Sequence, residues 1–338
     1  EPMLACHDRS VVEIYGYCNN TQHDNYTERI AAEMDHWRVC SSLSDEQLAE
    51  RIRADGIDIL VDLSGHTAGN RLPVFARKPA PVQVNWIGYP GSTGLSAMDY
   101  RISDPWQDPP GLTERYHSET LIRLPSGMAF QPEPESPEVN ALPALSSGEL
   151  IFASLNNLSK INPAVVTLWG RILNALPQAR LMLGNVTDNG IRERLIALFG
   201  QAGIGAQRLI LQPRVSVADY LALHNRIDMA LDPFPYNGGT TTMHSLWMGV
   251  PVITLAGDHA VSRLCAAHLS RVGLTEFISH SEEDYFQCAL RFAHDLPALN
   301  QVRQSLRDRM NAAECQPSSI TRHLEAAYRD MWRQWCTE

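Results

Sequence analysis

At 338 residues and 37.7 kDa the chain is about twice the length of a typical single domain, which predicts two domains and excludes one small module. Apolar residues at 44% and charged residues at 20% are the balance of a globular protein and exclude disorder over most of the length. A formal charge of -10 repels phosphate backbones and anionic lipid, so neither nucleic acid nor a membrane is expected as a partner.

No window approaches the roughly 18 consecutive apolar residues of a bilayer span, and no basic, apolar leader opens the chain, which reads as soluble and cytoplasmic. Cys6, Cys18, Cys40, Cys265, Cys288, Cys315 and Cys336 are scattered without a CxxC pair. That set fits reduced thiols better than disulfides or zinc, and no metal site is expected.

The chain opens at Glu1 without a methionine, and Glu1 to Asp8 reads as the tail of a helix running into a strand, so a preceding segment is expected. Strand-length apolar runs then alternate with helical stretches: a strand from Val11 to Cys18, a polar helix from about Asn25 to Met34, a helix from Asp45 to Ala54, and strands from Ile57 to Leu63 and Val82 to Trp86. Such alternation predicts an α/β fold with a parallel sheet between helices. From Leu124 to Gly148 the composition changes, with Pro125, Pro132, Pro134, Pro137 and Pro143 among Gly, Ser and Glu, and this stretch is expected to be extended, exposed and the domain junction.

A second alternating series follows, with strands at Leu150 to Ser154, Arg180 to Leu183, Arg208 to Leu211, Ile227 to Leu231 and Val252 to Leu255. Helices start at Pro163, Asn189, Ser216 and Thr240 between them. From Ala260 onward the pattern reads as wholly helical, and Ser318 to Trp335 sets Leu324, Ala327, Tyr328, Met331 and Trp335 on one face. No repeat of roughly 20 to 50 residues is found. The segments are therefore an N-terminal Rossmann-like domain over 1–125, a Pro-rich linker over 126–149, a second α/β domain over 150–317, and a C-terminal helix over 318–338 expected to pack back across the domains.

Doubly wound domains bind ligands at the carboxyl ends of their strands, so the strand-exit loops are the place to look for chemistry. The most informative runs from Asp232 through Tyr236, Asn237, Gly238 and Gly239 to Thr240, Thr241 and Thr242, with the following helix expected over Met243 to Met248. Glycines remove bulk, threonines offer hydroxyls and N–H groups, and a helix start favours an anion, which together make a diphosphate seat. The plainer reading is a glycine turn with Thr240 as helix cap. A second loop, Leu155 to Pro163, carries Lys160, one of two lysines in the chain. Its ammonium could neutralise a phosphate leaving group, or it could be a solvated surface lysine. In the first domain, Leu63-Ser-Gly65-His66-Thr67 and Gly88-Tyr89-Pro90-Gly91-Ser92-Thr-Gly94 leave strands, and His66 could act as a base or bond a sugar hydroxyl.

The segments GHTAGNRLPVFARKPAPVQVNWIGYPGSTGL, MDYRISD, LNNLSKINP and LDPFPYNGGTTTMHSLWMGVPVITLAG resemble the catalytic region of the O-GlcNAc transferase and SPINDLY family over nearly the whole chain. The resemblance implies a GT-B architecture of two Rossmann-like domains facing across a cleft, inversion at the anomeric carbon, no metal or other cofactor, and sugar transfer from a nucleotide to Ser or Thr of proteins. It implies that 150–317 binds the nucleotide sugar and 1–125 the acceptor side. Lys160 then matches the lysine that stabilises the departing diphosphate, Asn157 a side chain at the phosphates, and Thr240 and Thr241 the diphosphate pair, within the stretch from Asn237 to Thr242. Val215 falls where main-chain groups address the base, Tyr220 where many relatives carry a histidine near it. Gly65, His66, Thr67, Tyr89, Pro90, Gly91 and Ser92 match the sugar and acceptor side.

The chain departs from that pattern in three ways. His244 occupies a position where relatives have a carboxylate for the ribose hydroxyls, and an imidazole accepts more weakly. The family's first strand with its histidine loop, and the helical TPR array expected upstream, are both lacking from this sequence, which is expected to be N-terminally truncated. The expected function is an inverting protein glycosyltransferase with UDP-GlcNAc as the favoured donor. Protein O-fucosylation from GDP-fucose and a catalytically impaired sugar-nucleotide-binding scaffold are the alternatives. A nucleotide-sugar epimerase of the same fold is the third, which the peptide-family motifs argue against.

Overall fold

The computed structural model describes residues 1–125, 130–313 and 316–337, so part of the expected linker, 126–129, and Cys315 lie outside the described residues. The chain divides into two compact units, Glu1–Gln131 with Glu314–Glu338, and Pro132–Ala313.

In the first unit, β1 (Tyr15–Cys18) and β2 (His36–Val39) form a parallel pair. A separate all-parallel sheet follows in chain order: β3 (Ile59–Asp62), β4 (Val82–Asn85), β5 (Tyr100–Ser103) and β6 (Thr120–Arg123). Three of these strands, β2, β5 and β6, escape the apolar pattern because each is four residues long with an arginine inside it. The helix Asp45–Ala54 is fixed at its start by a reciprocal cap, Ser44 accepting from Gln47 N while the Gln47 side chain accepts from Ser44 N. Its Leu48, Ala49 and Ile52 face the core.

The C-terminal helix Pro317–Trp335 belongs to this unit. Its Ile320, Leu324 and Met331 join Met3, Val82, Val84, Trp86, Tyr100, Ile102 and Leu124 in one apolar cluster, with Ala327, Tyr328 and Trp332 at its margin. Trp335, expected on the buried face, is 45% exposed and stacks on Trp332 with ring centroids 4.9 Å apart.

The second unit is a six-stranded parallel sheet in the order β12-β11-β10-β7-β8-β9. The strands are β7 (Ile151–Ser154), β8 (Arg180–Leu183), β9 (Leu209–Leu211), β10 (Met229–Leu231), β11 (Val252–Leu255) and β12 (Ile278–Ser279). The chain moves outward from β7 to β9, returns to the other flank of β7 as β10, and moves outward again to β12. β12 interrupts the stretch read as wholly helical, and at two residues it is too short to show a strand pattern. The helix Pro163–Ala175 begins with Asn162 as cap and Pro163 at its first position, and buries Val165, Val166, Leu168, Trp169, Ile172 and Leu173.

Residues from Pro132 to Gly148, expected as a linker, are part of this unit. Their backbone groups are bound there. Arg303 Nε donates to Asn140 O at 2.9 Å, Leu142 N donates to Asn300 Oδ1 at 2.9 Å, and Ala144 N donates to Asp228 Oδ1 at 2.8 Å. A chain segment whose polar groups are satisfied by one body folds with that body.

Candidate active site

In the second unit the direction of winding reverses between β7 and β10, and a doubly wound sheet offers its ligand site in the loops at the carboxyl ends of the strands at such a reversal. The β7 loop holds its shape through two asparagines: Asn157 Oδ1 accepts from Ser159 N, and Asn162 Oδ1 accepts from Val165 N. Asn162 Nδ2 also donates across to Phe234 O at 2.6 Å, which ties the β7 loop to the β10 loop. Between these anchors Lys160 is carried onto the β10 loop, where Nζ donates to Asn237 O at 2.7 Å and sits 4.2 Å from the Tyr236 ring centre. The amine is half-buried, and burial lowers its pKa from the ordinary lysine value against the opposing charge of Asp232.

The helix starts at Thr240, as the strand–helix alternation predicts, and not only at Met243, and it runs to Trp247, so all three threonines occupy its first turn. Gly239 precedes it and no side chain caps it, which leaves the dipole end available to an anion. The threonines differ in use. Thr242 is buried and its hydroxyl donates to Gly238 O at 3.1 Å; Thr241 Oγ1 donates to Asn156 Oδ1 at 2.9 Å; Thr240 is exposed. Gly238 is required by close approach, because a Cβ there would lie 2.8 Å from both Thr241 Oγ1 and Thr242 Oγ1 and 3.0 Å from Asn156 Oδ1. Asn237 is buried, with Nδ2 on Pro233 O and Oδ1 without a partner, a group that a ligand donor would satisfy.

One turn further along the same helix, His244 meets Tyr220 edge-on at 5.5 Å, and Tyr220 meets His224 edge-on at 5.1 Å. Burial lowers the His244 pKa and pushes that of His224 down to about 4, so both rings are neutral near pH 7. The Tyr220 hydroxyl is buried without a partner.

The second unit therefore brings Lys160, Asn237, Gly238, Thr241 and Thr242 into one hydrogen-bonded set and Tyr220 with His244 into another. Val215 is exposed, and Asn157, also exposed, spends its side chain on its own turn. The buried Asn156 beside it is the asparagine that meets the threonines.

In the first unit the loops after β3 and β4 lie side by side because Asp62 pairs with Asn85 in register. Asp62 accepts from Ser64 N, Gly65 N and Asn85 Nδ2, and Tyr89 N donates to Ser64 O at 3.1 Å. Gly65 has φ +55°, and a Cβ there would lie 2.8 Å from that of Tyr89. The exposed His66 ring meets the Tyr89 ring edge-on at 5.7 Å. Thr67 Oγ1 donates to Ser64 O, so Gly65, His66, Thr67 and Tyr89 form one group, followed in the chain by Pro90 and Gly91. Ser92 instead donates to Glu119 Oε2 at 2.7 Å, and the same carboxylate accepts from Thr93 N.

Sequence reasoning missed Asp62, Glu119, Asn156 and Asp232 as organising residues. Two of them share a legible signal, a carboxylate at the end of a buried strand directly before a glycine-containing loop. Among the described residues no cluster of three or more His, Cys, Asp or Glu could hold a metal, and no helix is long and apolar enough to cross a membrane.

A model of glycosyl transferase family 41 matches residues 2–130 and 140–318. The chain is 38% identical over 99% of its length to a probable UDP-N-acetylglucosamine–peptide N-acetylglucosaminyltransferase SPINDLY of Solanum lycopersicum, of which it covers 37%. It is 30% identical to the similarly named SEC protein of Arabidopsis thaliana, covering 35% of it. Among solved structures, a variant of the O-GlcNAc transferase of Thermobaculum terrenum aligns over 99% of this chain and 64% of its own with TM-score 0.93 and 40% identity. A sucrose-phosphate synthase of Thermosynechococcus elongatus, 12% identical with TM-score 0.63, shares the fold. The chain thus spans little more than a third of the length of its curated plant relatives.

Proposed function

Because the chain belongs to glycosyl transferase family 41 and has its GT-B fold, we propose that it is the catalytic region of an inverting enzyme that moves a sugar, GlcNAc from UDP-GlcNAc, onto Ser or Thr hydroxyls of proteins. The acceptor oxygen attacks the anomeric carbon as the carbon–oxygen bond to the diphosphate breaks, the bonding pair leaves with the diphosphate, and the hydroxyl proton passes to His66 or to water. Lys160 and the uncapped helix start at Thr240 and Thr241 meet that charge, so the reading needs no metal. Tyr220, His244 and the main chain at Val215 take the nucleoside. His66 and the Gly65, Thr67 and Tyr89–Ser92 loops take the sugar and acceptor side. The described cysteines, all unpaired, favour a reducing compartment and hence the cytoplasm.

The observation that supports this most is the Lys160 ammonium held at Asn237 O, inside the same loop that supplies the threonine helix start. The test is transfer and donor hydrolysis with UDP-GlcNAc and with GDP-fucose, alongside calorimetry with UDP and GDP. Lys160→Ala is expected to lower turnover roughly 100-fold or more while most UDP affinity remains, and chelation by EDTA is expected to change nothing. Unchanged turnover in Lys160→Ala sinks the assignment, fucose transfer replaces the donor, and UDP binding with no turnover in the parent chain replaces the enzyme with a binding scaffold.

A further inference from the structure

The carboxylate of Asp232 is 1% exposed and follows directly on β10, the strand beside β7. A buried carboxylate persists only where its oxygens are satisfied. Oδ2 accepts from Thr254 Oγ1 at 2.7 Å, on the neighbouring β11. Oδ1 accepts from Gly238 N at 2.6 Å, closing the loop that begins with Asp232 itself. The main chain of the residue is equally fixed: its N–H donates to Ile253 O, and its carbonyl accepts from the Tyr285 hydroxyl, which in turn accepts from Trp169 Nε1.

Gly238 N and Asn237 O belong to one peptide group. Its N–H points to the Asp232 carboxylate and its C=O receives the Lys160 ammonium at 2.7 Å. In a trans peptide these two groups point in opposite directions, so an anion on the N–H side and a cation on the C=O side polarise the same plane in the same sense. We propose that Asp232 is a positioning residue, which sets the place and charge of Lys160 through the Asn237–Gly238 peptide and serves as its buried counter-charge.

The groups facing the pair are few. Asp232 faces Lys160, the Cys265 thiol, the Thr254 hydroxyl and Tyr285, and Lys160 faces Asp232, Cys265 and the Tyr236 ring. Burial pushes the Asp232 carboxyl up to about 7, and burial lowers the Lys160 pKa while Asp232 raises it. Below pH 7 the carboxyl is mostly protonated and Lys160 loses its counter-charge; above it the carboxylate is present to oppose the ammonium. The role of Lys160 in transfer rests on the function proposed above, whereas its coupling to Asp232 does not.

The chain has two lysines, Lys78 and Lys160, so 13C labelling of lysine gives two side-chain signals to titrate by NMR. In Asp232→Asn the Lys160 midpoint is expected to fall by about one unit or more, with Lys78 unmoved, and the acid limb of turnover near pH 7 is expected to disappear. A Lys160 midpoint equal to that of the parent chain overturns the inference. Should Asp232→Asn fail to fold, Lys160→Met decides: the carboxyl signal that titrates near neutral pH is expected to move upward, since coupling is reciprocal, and an unmoved signal overturns the inference. If the parent chain transfers no sugar, the function fails, while the two titrations still decide the coupling.

Discussion

The loops after β7 and β10 in the second unit and those after β3 and β4 in the first have the same origin: each pair leaves two adjacent parallel strands, and each pair is organised by a buried carboxylate, Asp232 in one and Asp62 in the other. They differ in where they hold their nitrogen-bearing side chain. Lys160 is drawn in against the β10 loop and bonded to main chain, whereas His66 stays exposed, in edge contact with Tyr89 alone among its described ring contacts. Under the proposed function, a group that must meet the charge of a diphosphate gains from being desolvated and fixed beforehand. A group that meets a protein hydroxyl gains from remaining open to the incoming chain.

The largest effect that would break this comparison lies at Gly238. An added Cβ collides with the hydroxyls of Thr241 and Thr242 and approaches Asn156. Relief requires those side chains to turn away, which forfeits the Thr241–Asn156 and Thr242–Gly238 bonds. Overpacking of this kind costs about 1–3 kcal/mol, and it falls on the seat itself. Gly238→Ala is therefore expected to weaken UDP binding roughly 10- to 100-fold by calorimetry, and unchanged affinity would remove the threonine turn from the diphosphate site.

The matching change in the first unit acts on stability. Gly65 sits at φ +55°, a left-handed backbone that costs a side-chain-bearing residue about 1–3 kcal/mol, and its Cβ would meet that of Tyr89, which is close to the backbone and cannot swing away. Gly65→Ala should lower thermal stability by several degrees and reduce transfer to a protein acceptor, while UDP affinity remains within about twofold. A large loss of UDP affinity would show that the two loop pairs do not divide the work as proposed.

What the sequence made legible follows the same division. Five of the second unit's six strands are readable because they are apolar runs between strong helix starts: Asn162 before Pro163, Asp188 before Asn189 and Ser216 before Val217 each cap a helix, and only the two-residue β12 is hidden. In the first unit, β5 hides Arg101 in full burial and β2 is half-exposed, so neither shows the run or alternation that marks a strand. Lys160 and the Gly238–Thr242 turn were legible from loop chemistry alone. Asp232 and Asn156 were not, because their importance lies in partners at Gly238, Thr254 and Thr241, contacts that exist only once β7, β10 and β11 are adjacent.

The smallest predicted effect separates two neighbouring asparagines and sharpens the picture of the diphosphate seat. Resemblance assigns the phosphate contact to Asn157, yet its side chain accepts from Ser159 N and stands exposed, while Asn156 is buried and holds the Thr241 hydroxyl. Removing Asn156 leaves a half-buried hydroxyl at the helix start without its acceptor, a loss of about 0.5–1.5 kcal/mol. Asn156→Ala is therefore expected to weaken UDP roughly 3- to 10-fold. Asn157→Ala loosens one turn of the loop that carries Lys160, so it should lower turnover about two- to threefold with UDP affinity close to that of the parent. Parallel calorimetry and turnover on the two variants compare a residue that shapes the anion seat with one that shapes the approach of the ammonium. A larger loss of UDP affinity in Asn157→Ala than in Asn156→Ala would mean that the exposed asparagine abandons its turn to contact the diphosphate, and that the loop is reorganised by its ligand.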